Sequence, residues 1–153
     1  DFVYSNASQV QMFLPAIVFL IGCLLAFATG TSWGTFGMLI PIVQSVFPMD
    51  NPLSVVCISA CMAGAVCGDH CSPISDTTIM ASAGAQCDHV NHVSTQLPYA
   101  ITVAAVSFVS YVIAGFLPKA WIALPIAIVL MLLTLFGIHM VHKRNKTVVS
   151  SSK

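Results

Sequence analysis

Residues 68–78 read Gly68-Asp-His-Cys-Ser-Pro-Ile-Ser-Asp-Thr-Thr78, two carboxylates and a helix-breaking proline set between the apolar stretches 53–67 and 79–85. A carboxylate at membrane depth costs roughly 3 kcal/mol on insertion scales, so Asp69 and Asp76 need a compensating partner. Every charged residue from Phe2 to Pro118 is an aspartate (Asp50, Asp69, Asp76, Asp88), and the first Lys or Arg is Lys119. The partner is therefore a mobile cation, a proton, or a group outside this sequence. Hydroxyls surround the two acids at Ser72, Ser75, Thr77 and Thr78, and a second polar interruption upstream adds Thr29, Thr31, Ser32 and Thr35. A set of oxygen ligands suits a hard cation such as sodium. Asp76, three residues past Pro73 and flanked by Ser75, Thr77 and Thr78, is the expected ligand. Asp69 is the expected helper, with a plain capping or interfacial role as its alternative. His70 beside Asp69 is a candidate to share a proton, since an imidazole ordinarily titrates near pH 6.5.

A second chemistry is written in sulfur and nitrogen: Cys67, His70, Cys71, Cys87, His89 and His92. Zinc takes such ligands, and Cys67 and Cys71 share a face if helix continues between them. The spacing matches no finger or ribbon pattern. The plainer reading makes His89 and His92 loop histidines and the cysteines small packing residues. This leaves a membrane metal-binding or redox protein as a reading from another class.

The elements that must position these residues are membrane helices. The chain is 58% hydrophobic and 7% charged, with a mean hydropathy of +0.93, against roughly 25% charged residues in soluble domains. Zero formal charge and a basic cluster confined to the tail (Lys143, Arg144, Lys146) exclude a nucleic-acid surface. The lipid bilayer is the expected partner. The chain starts at Asp1 without a charged and then apolar leader, and so reads as the C-terminal piece of a longer protein. Six cysteines within or beside apolar segments read as free thiols rather than a disulfide framework.

A spanning helix needs about 20 apolar residues. Residues 99–117 and 121–141 qualify cleanly, separated by Pro118-Lys119-Ala120, with Tyr99 and Trp121 as interface anchors. Two further regions are broken. Residues 12–47 are expected as a re-entrant hairpin with its tip at 30–37, two short spans being the alternative; Trp33 is expected to plug that tip. Residues 53–87 are expected as a helix interrupted at 69–78. Backbone freed by such breaks cannot face lipid and must face protein or a watery cavity. Ala60, Gly64 and Gly68 form a stripe of small residues suited to close helix approach. The apolar run 131–136 belongs to a lipid-facing or packed helix. The basic cluster places the C-terminus in the cytoplasm, with residues 88–98 as a cytoplasmic loop and 142–153 as a cytoplasmic tail, unstructured from 145 onward. The fold class is thus an all-α polytopic membrane protein.

Three strings together resemble a known family: Thr29-Gly-Thr-Ser-Trp-Gly-Thr-Phe-Gly37, Gly68 to Thr78, and Cys87-Asp-His-Val-Asn-His-Val-Ser-Thr-Gln-Leu-Pro-Tyr99. Over about residues 12–115 the chain resembles the C-terminal part of the NhaC-type sodium/proton antiporters, a family that includes malate/lactate exchangers. The resemblance implies a transporter half of the inverted-repeat type, a re-entrant hairpin plus a discontinuous helix, occupying residues 1–141. The N-terminal half of the same transporter would complete the site, and the piece alone should not transport. It implies a secondary antiporter in the cell membrane, not an enzyme. Na+ and H+ would be its transported ions, exchanged in competition at Asp76, Asp69 and their hydroxyl neighbours, with no other cofactor. Pairing as a homodimer is compatible with it. Coupled exchange of an organic anion or an amino acid stays open, although no Lys or Arg lies near either break to hold a carboxylate.

Overall fold

The computed structural model describes residues 2–117 and 119–151; residues 2–9, Ala120, His142 and residues 144–151 are described by their backbone only. Six helices are found among them: α1 Phe2–Thr29, α2 Ser32–Val46, α3 Pro52–Cys71, α4 Asp76–Gly84, α5 His89–Phe116 and α6 Ala120–Ser151. Four segments are long and apolar enough to cross a membrane: Val10–Thr29, Pro52–Cys71, His89–Phe116 and Trp121–Val141. The chain is an all-helical, multi-pass membrane protein.

The breaks are shorter than the sequence suggests. The first occupies only Gly30 and Thr31, because Ser32 already starts α2 and takes Gly34 and Gly37 into it. Gly30 has φ +69°, a left-handed conformation in which a side chain is strained. At a rise of 1.5 Å per residue, the 15 residues of α2 reach about 22 Å, short of a hydrocarbon core of about 30 Å. The second break is Ser72–Ser75, since α3 continues through Asp69, His70 and Cys71 before Pro73 withdraws a backbone donor and biases Ser72 to extended backbone.

Two other expectations change. Residues 88–98 are not a loop: Asp88 accepts from the Asn91 amide at 2.9 Å, an N-cap that starts α5 ten residues before Tyr99. Pro98 is carried inside that helix. The C-terminal segment is not a loose tail either. Helix α6 runs to Ser151, since no glycine or proline stops it past Gly137 and extending a helix costs far less than starting one. Pro118, Ser152 and Lys153 lie outside the described residues.

Helix α3 is the centre of the packing, in contact with α1, α2, α4 and α5, while α6 lies along α5. The small-residue stripe explains the closest contact. A side chain on Gly64 would overlap the backbone of Phe19, and one on Gly68 that of Cys23, so α1 and α3 meet backbone to backbone. Ser54, Cys57, Ala60, Cys61, Ala65 and Asp69 are buried along this face of α3. Val43 and Phe47 of the α2 end close over Cys57, with Leu14, Val18, Leu53 and Ile58 around them. Tyr111 of α5 hydrogen-bonds Ser59 at 3.0 Å and lies 5.4 Å from the Phe19 ring. In α6, Leu132, Leu133, Leu135 and Phe136 are all exposed.

Candidate ion-binding site

The two breaks lie against each other. A side chain on Gly30 would meet the Ile74 carbonyl, and the Ser72 hydroxyl donates to the Phe27 carbonyl at 2.8 Å. The same Ser72 oxygen accepts from the Ile74 amide at 3.4 Å. One serine thus ties the end of α1 to the turn between α3 and α4.

Within this crossing the acids occupy unlike places. Asp69 stands in register with Cys57, Cys61 and Ala65, four residues apart on the buried face of α3, and is only 2% exposed. Ser75 donates to its Oδ1 at 2.7 Å and Thr77 to its Oδ2 at 3.1 Å, while the two hydroxyls are 2.7 Å apart. Ser75 is wholly buried and Thr77 is exposed, so the ring runs from the interior to an open side. The first turn of α4 holds these hydroxyls, and the positive end of its dipole favours a negative charge there. Three oxygen contacts close the ring, yet the hydroxyls carry one proton each. Ionised Asp69 leaves one contact without a proton; a proton on the carboxyl supplies the third. The same four oxygens are hard ligands of the kind a small monovalent cation takes.

Asp76 is exposed, the first residue of α4, and its Oδ1 accepts from the Thr77 amide at 2.7 Å. That is what an acid does at a helix N-terminus. The geometry buries Asp69, in register with the inner face of α3, and leaves Asp76 at the open start of α4. Thr78 is buried one residue beyond the ring.

The hydroxyls of the first break form a separate group. Thr29 donates to the Leu25 carbonyl and Thr35 to the Thr31 carbonyl, each at 2.8 Å, and the two hydroxyl oxygens are 3.2 Å apart. Thr35 is wholly buried and Ser32 is 9% exposed, but no hydrogen bond among the described residues links this group to Asp69. Trp33 is 79% exposed in the first turn of α2, against Phe36, and plugs nothing. His70 also leaves the site. Its Nδ1 donates to the Val66 carbonyl at 2.8 Å, and the ring lines an apolar groove of about 870 Å3 between α3 and α5 with Gln96 and Tyr99.

The sulfur and nitrogen residues disperse. Cys67 and Cys71 are half-buried free thiols on α3, His70 turns to the groove, and Cys87 is exposed past α4. Among the described residues no three His, Cys, Asp or Glu side chains are placed to hold a metal ion. His89, read as a loop residue, is instead the first residue of α5. Its Nε2 donates to the Pro73 carbonyl at 2.7 Å, and its Nδ1 is 3.0 Å from the Ser82 hydroxyl. The signal for it was Asp88, a residue type that caps helices and so makes His89 helical, just across a short turn from α4.

Comparison with known proteins agrees with this architecture. The model of the Na+/H+ antiporter family matches residues 3–116. An uncharacterised protein of Haemophilus influenzae is 56% identical over 107 residues, 69% of this chain and 21% of that protein. The malate-2H(+)/Na(+)-lactate antiporter of Bacillus subtilis is 32% identical over 117 residues, 75% of this chain and 25% of its own length. The arginine/ornithine antiporter ArcD of Halobacterium salinarum is 30% identical over 117 residues, 72% of this chain and 24% of its own. The chain thus spans about a quarter or less of the length of these relatives. No solved structure matches it. With a family match that takes in most of its length, helix breaks included, the chain belongs to the Na+/H+ antiporter family.

Proposed function

We propose that this chain carries half of the ion site of a secondary antiporter that exchanges sodium for protons, with Asp69 as the exchanging group. The observation that carries this reading is a buried carboxylate ringed by two hydroxyls, in a stretch from Phe2 to Pro118 that holds no Lys or Arg. Sodium entering from the Thr77 side would meet Asp69, Ser75 and Thr77, and the carboxyl would release its proton. Either ion neutralises the buried charge. A bare carboxylate resists passage through a dry intermediate, so only loaded forms change their exposure. Asp76 shapes the start of α4, and His70 takes no part in proton coupling.

The remaining ligands would come from the rest of the transporter, and the Thr29, Thr31, Ser32 and Thr35 group supports the fold of the first break. On this reading α1 and α2 are a re-entrant hairpin in one of two inverted repeats. The protein sits in the cell membrane with its C-terminus in the cytoplasm, on the strength of Lys143, Arg144 and Lys146; a homodimer is compatible with it.

Sodium-dependent pH change in everted vesicles carrying the full-length protein tests the assignment. Asp69→Asn should abolish exchange and Asp76→Asn should keep most of it; the opposite pattern would return the role to Asp76. A second reading, coupled exchange of an organic anion or an amino acid, is supported by the malate/lactate and arginine/ornithine antiporters among its relatives. Uptake of labelled malate, lactate or arginine in the same vesicles separates the two.

A further inference from the structure

At the start of α5, the only side chain with hydrogen bonds to both the break and α4 among the described residues is His89. Both of its ring nitrogens are engaged. The Pro73 carbonyl can only accept, so Nε2 carries a proton. On the other side Nδ1 meets the hydroxyl of Ser82, which is 3% exposed and also lies 2.9 Å from the Ile79 carbonyl.

We propose that His89 is a positioning residue for the ion site, whose ring clamps the Pro73 carbonyl and Ser82 together and so holds the Ser72–Ser75 turn against α5. The inference rests on the ion-site reading above. Ser75, two residues past Pro73, is a ring member, so the clamp fixes the hydroxyl that donates to Asp69. Loss of the ring removes both contacts and loosens the turn.

The charged and titratable neighbours are engaged elsewhere. Asp88 accepts from the Asn91 amide, Asp76 from the Thr77 amide, and Asp69 from Ser75 and Thr77. His70 bonds Val66, and the Cys87 thiol faces the Ser82 carbonyl at 3.7 Å. Cys71 is a free thiol at the end of α3, and the amide of His92 bonds the Asp88 carbonyl at 2.9 Å one turn into α5. None of them hydrogen-bonds the His89 ring.

The test follows amide hydrogen exchange of the peptide 72–78 in the full-length protein in nanodiscs, corrected for intrinsic rates. His89→Ala should raise exchange by about threefold to tenfold, as expected for one lost hydrogen bond. His89→Gln, whose amide can still donate to Pro73, should restore part of the protection. Unchanged exchange in His89→Ala, or no recovery in His89→Gln, would overturn the proposal. Sodium flux in parallel proteoliposomes should show His89→Ala raising KM for sodium more than it lowers kcat. Absence of any sodium/proton exchange in the wild type would sink the ion-site reading and leave the exchange measurement to decide on His89 alone.

Discussion

The molecule breaks two helices at one crossing and uses the breaks differently. Between α1 and α2 the interruption is two residues long, is turned by a left-handed glycine, and keeps its hydroxyls tied to carbonyls of their own helix. Between α3 and α4 it is four residues long, is opened by a proline, and directs two hydroxyls to a buried carboxylate on a neighbouring turn. The first break consumes its polar groups in holding its own shape; the second spends them on an acid. Polarity at a helix break thus does not by itself make a site. What separates the two is an ionisable group in register with the buried face.

Substitutions can break this comparison, and Asp69→Asn should do most. It removes the only buried acid at the crossing among the described residues and should reduce sodium-dependent proton flux to the vesicle background. Next comes Gly30→Ala. A left-handed alanine costs about 1–2 kcal/mol, and its methyl group would press on the Ile74 carbonyl. A loss of about 2 kcal/mol or more is expected, read as a lower midpoint in thermal unfolding of the full-length protein in detergent. Thr77→Val keeps shape but deletes one donor to a charged acceptor, a change worth about 1.5–3 kcal/mol. A rise of about tenfold in KM for sodium is expected, with the fold and the maximal rate little changed. The smallest effects belong to Thr35→Val and Asp76→Asn. Each should shift KM by about twofold or less, the latter through loss of a dipole contact of about 0.3–1 kcal/mol. A large loss in Thr35→Val would show that the first break feeds the site after all.

Much of this was legible in the sequence, and the failures share a cause. Composition and run length give the all-helical membrane class and the two clean spans, and the Ala60, Gly64 and Gly68 stripe foretells the close α1–α3 contact. Break positions were readable too, but not their lengths. Glycines at 34 and 37 look like breakers on paper, yet α2 carries both, as α5 carries Pro98. Flanking hydroxyls drew attention to Asp76, whereas the acid that the fold buries is Asp69. The decisive signal was a count along the helix: Cys57, Cys61, Ala65 and Asp69 recur every four residues, so the acid inherits the inner face of the cysteines. His89 was missed because its partners, Pro73 and Ser82, lie 16 and 7 residues away across a turn, a distance that local pattern does not encode.

The backbone contact of α1 with α3 has a mechanical consequence. Where Gly64 meets Phe19 and Gly68 meets Cys23, no side chains separate the two helices to act as rollers. Sliding one along the other would drive the next residue's Cβ into a peptide plane. The pair can tilt about the contact but cannot shear, which makes it a pivot. A motion that changes the exposure of Asp69 then has two routes, a tilt of α1 and α3 about this contact or a movement of α4 on the short turns at its ends.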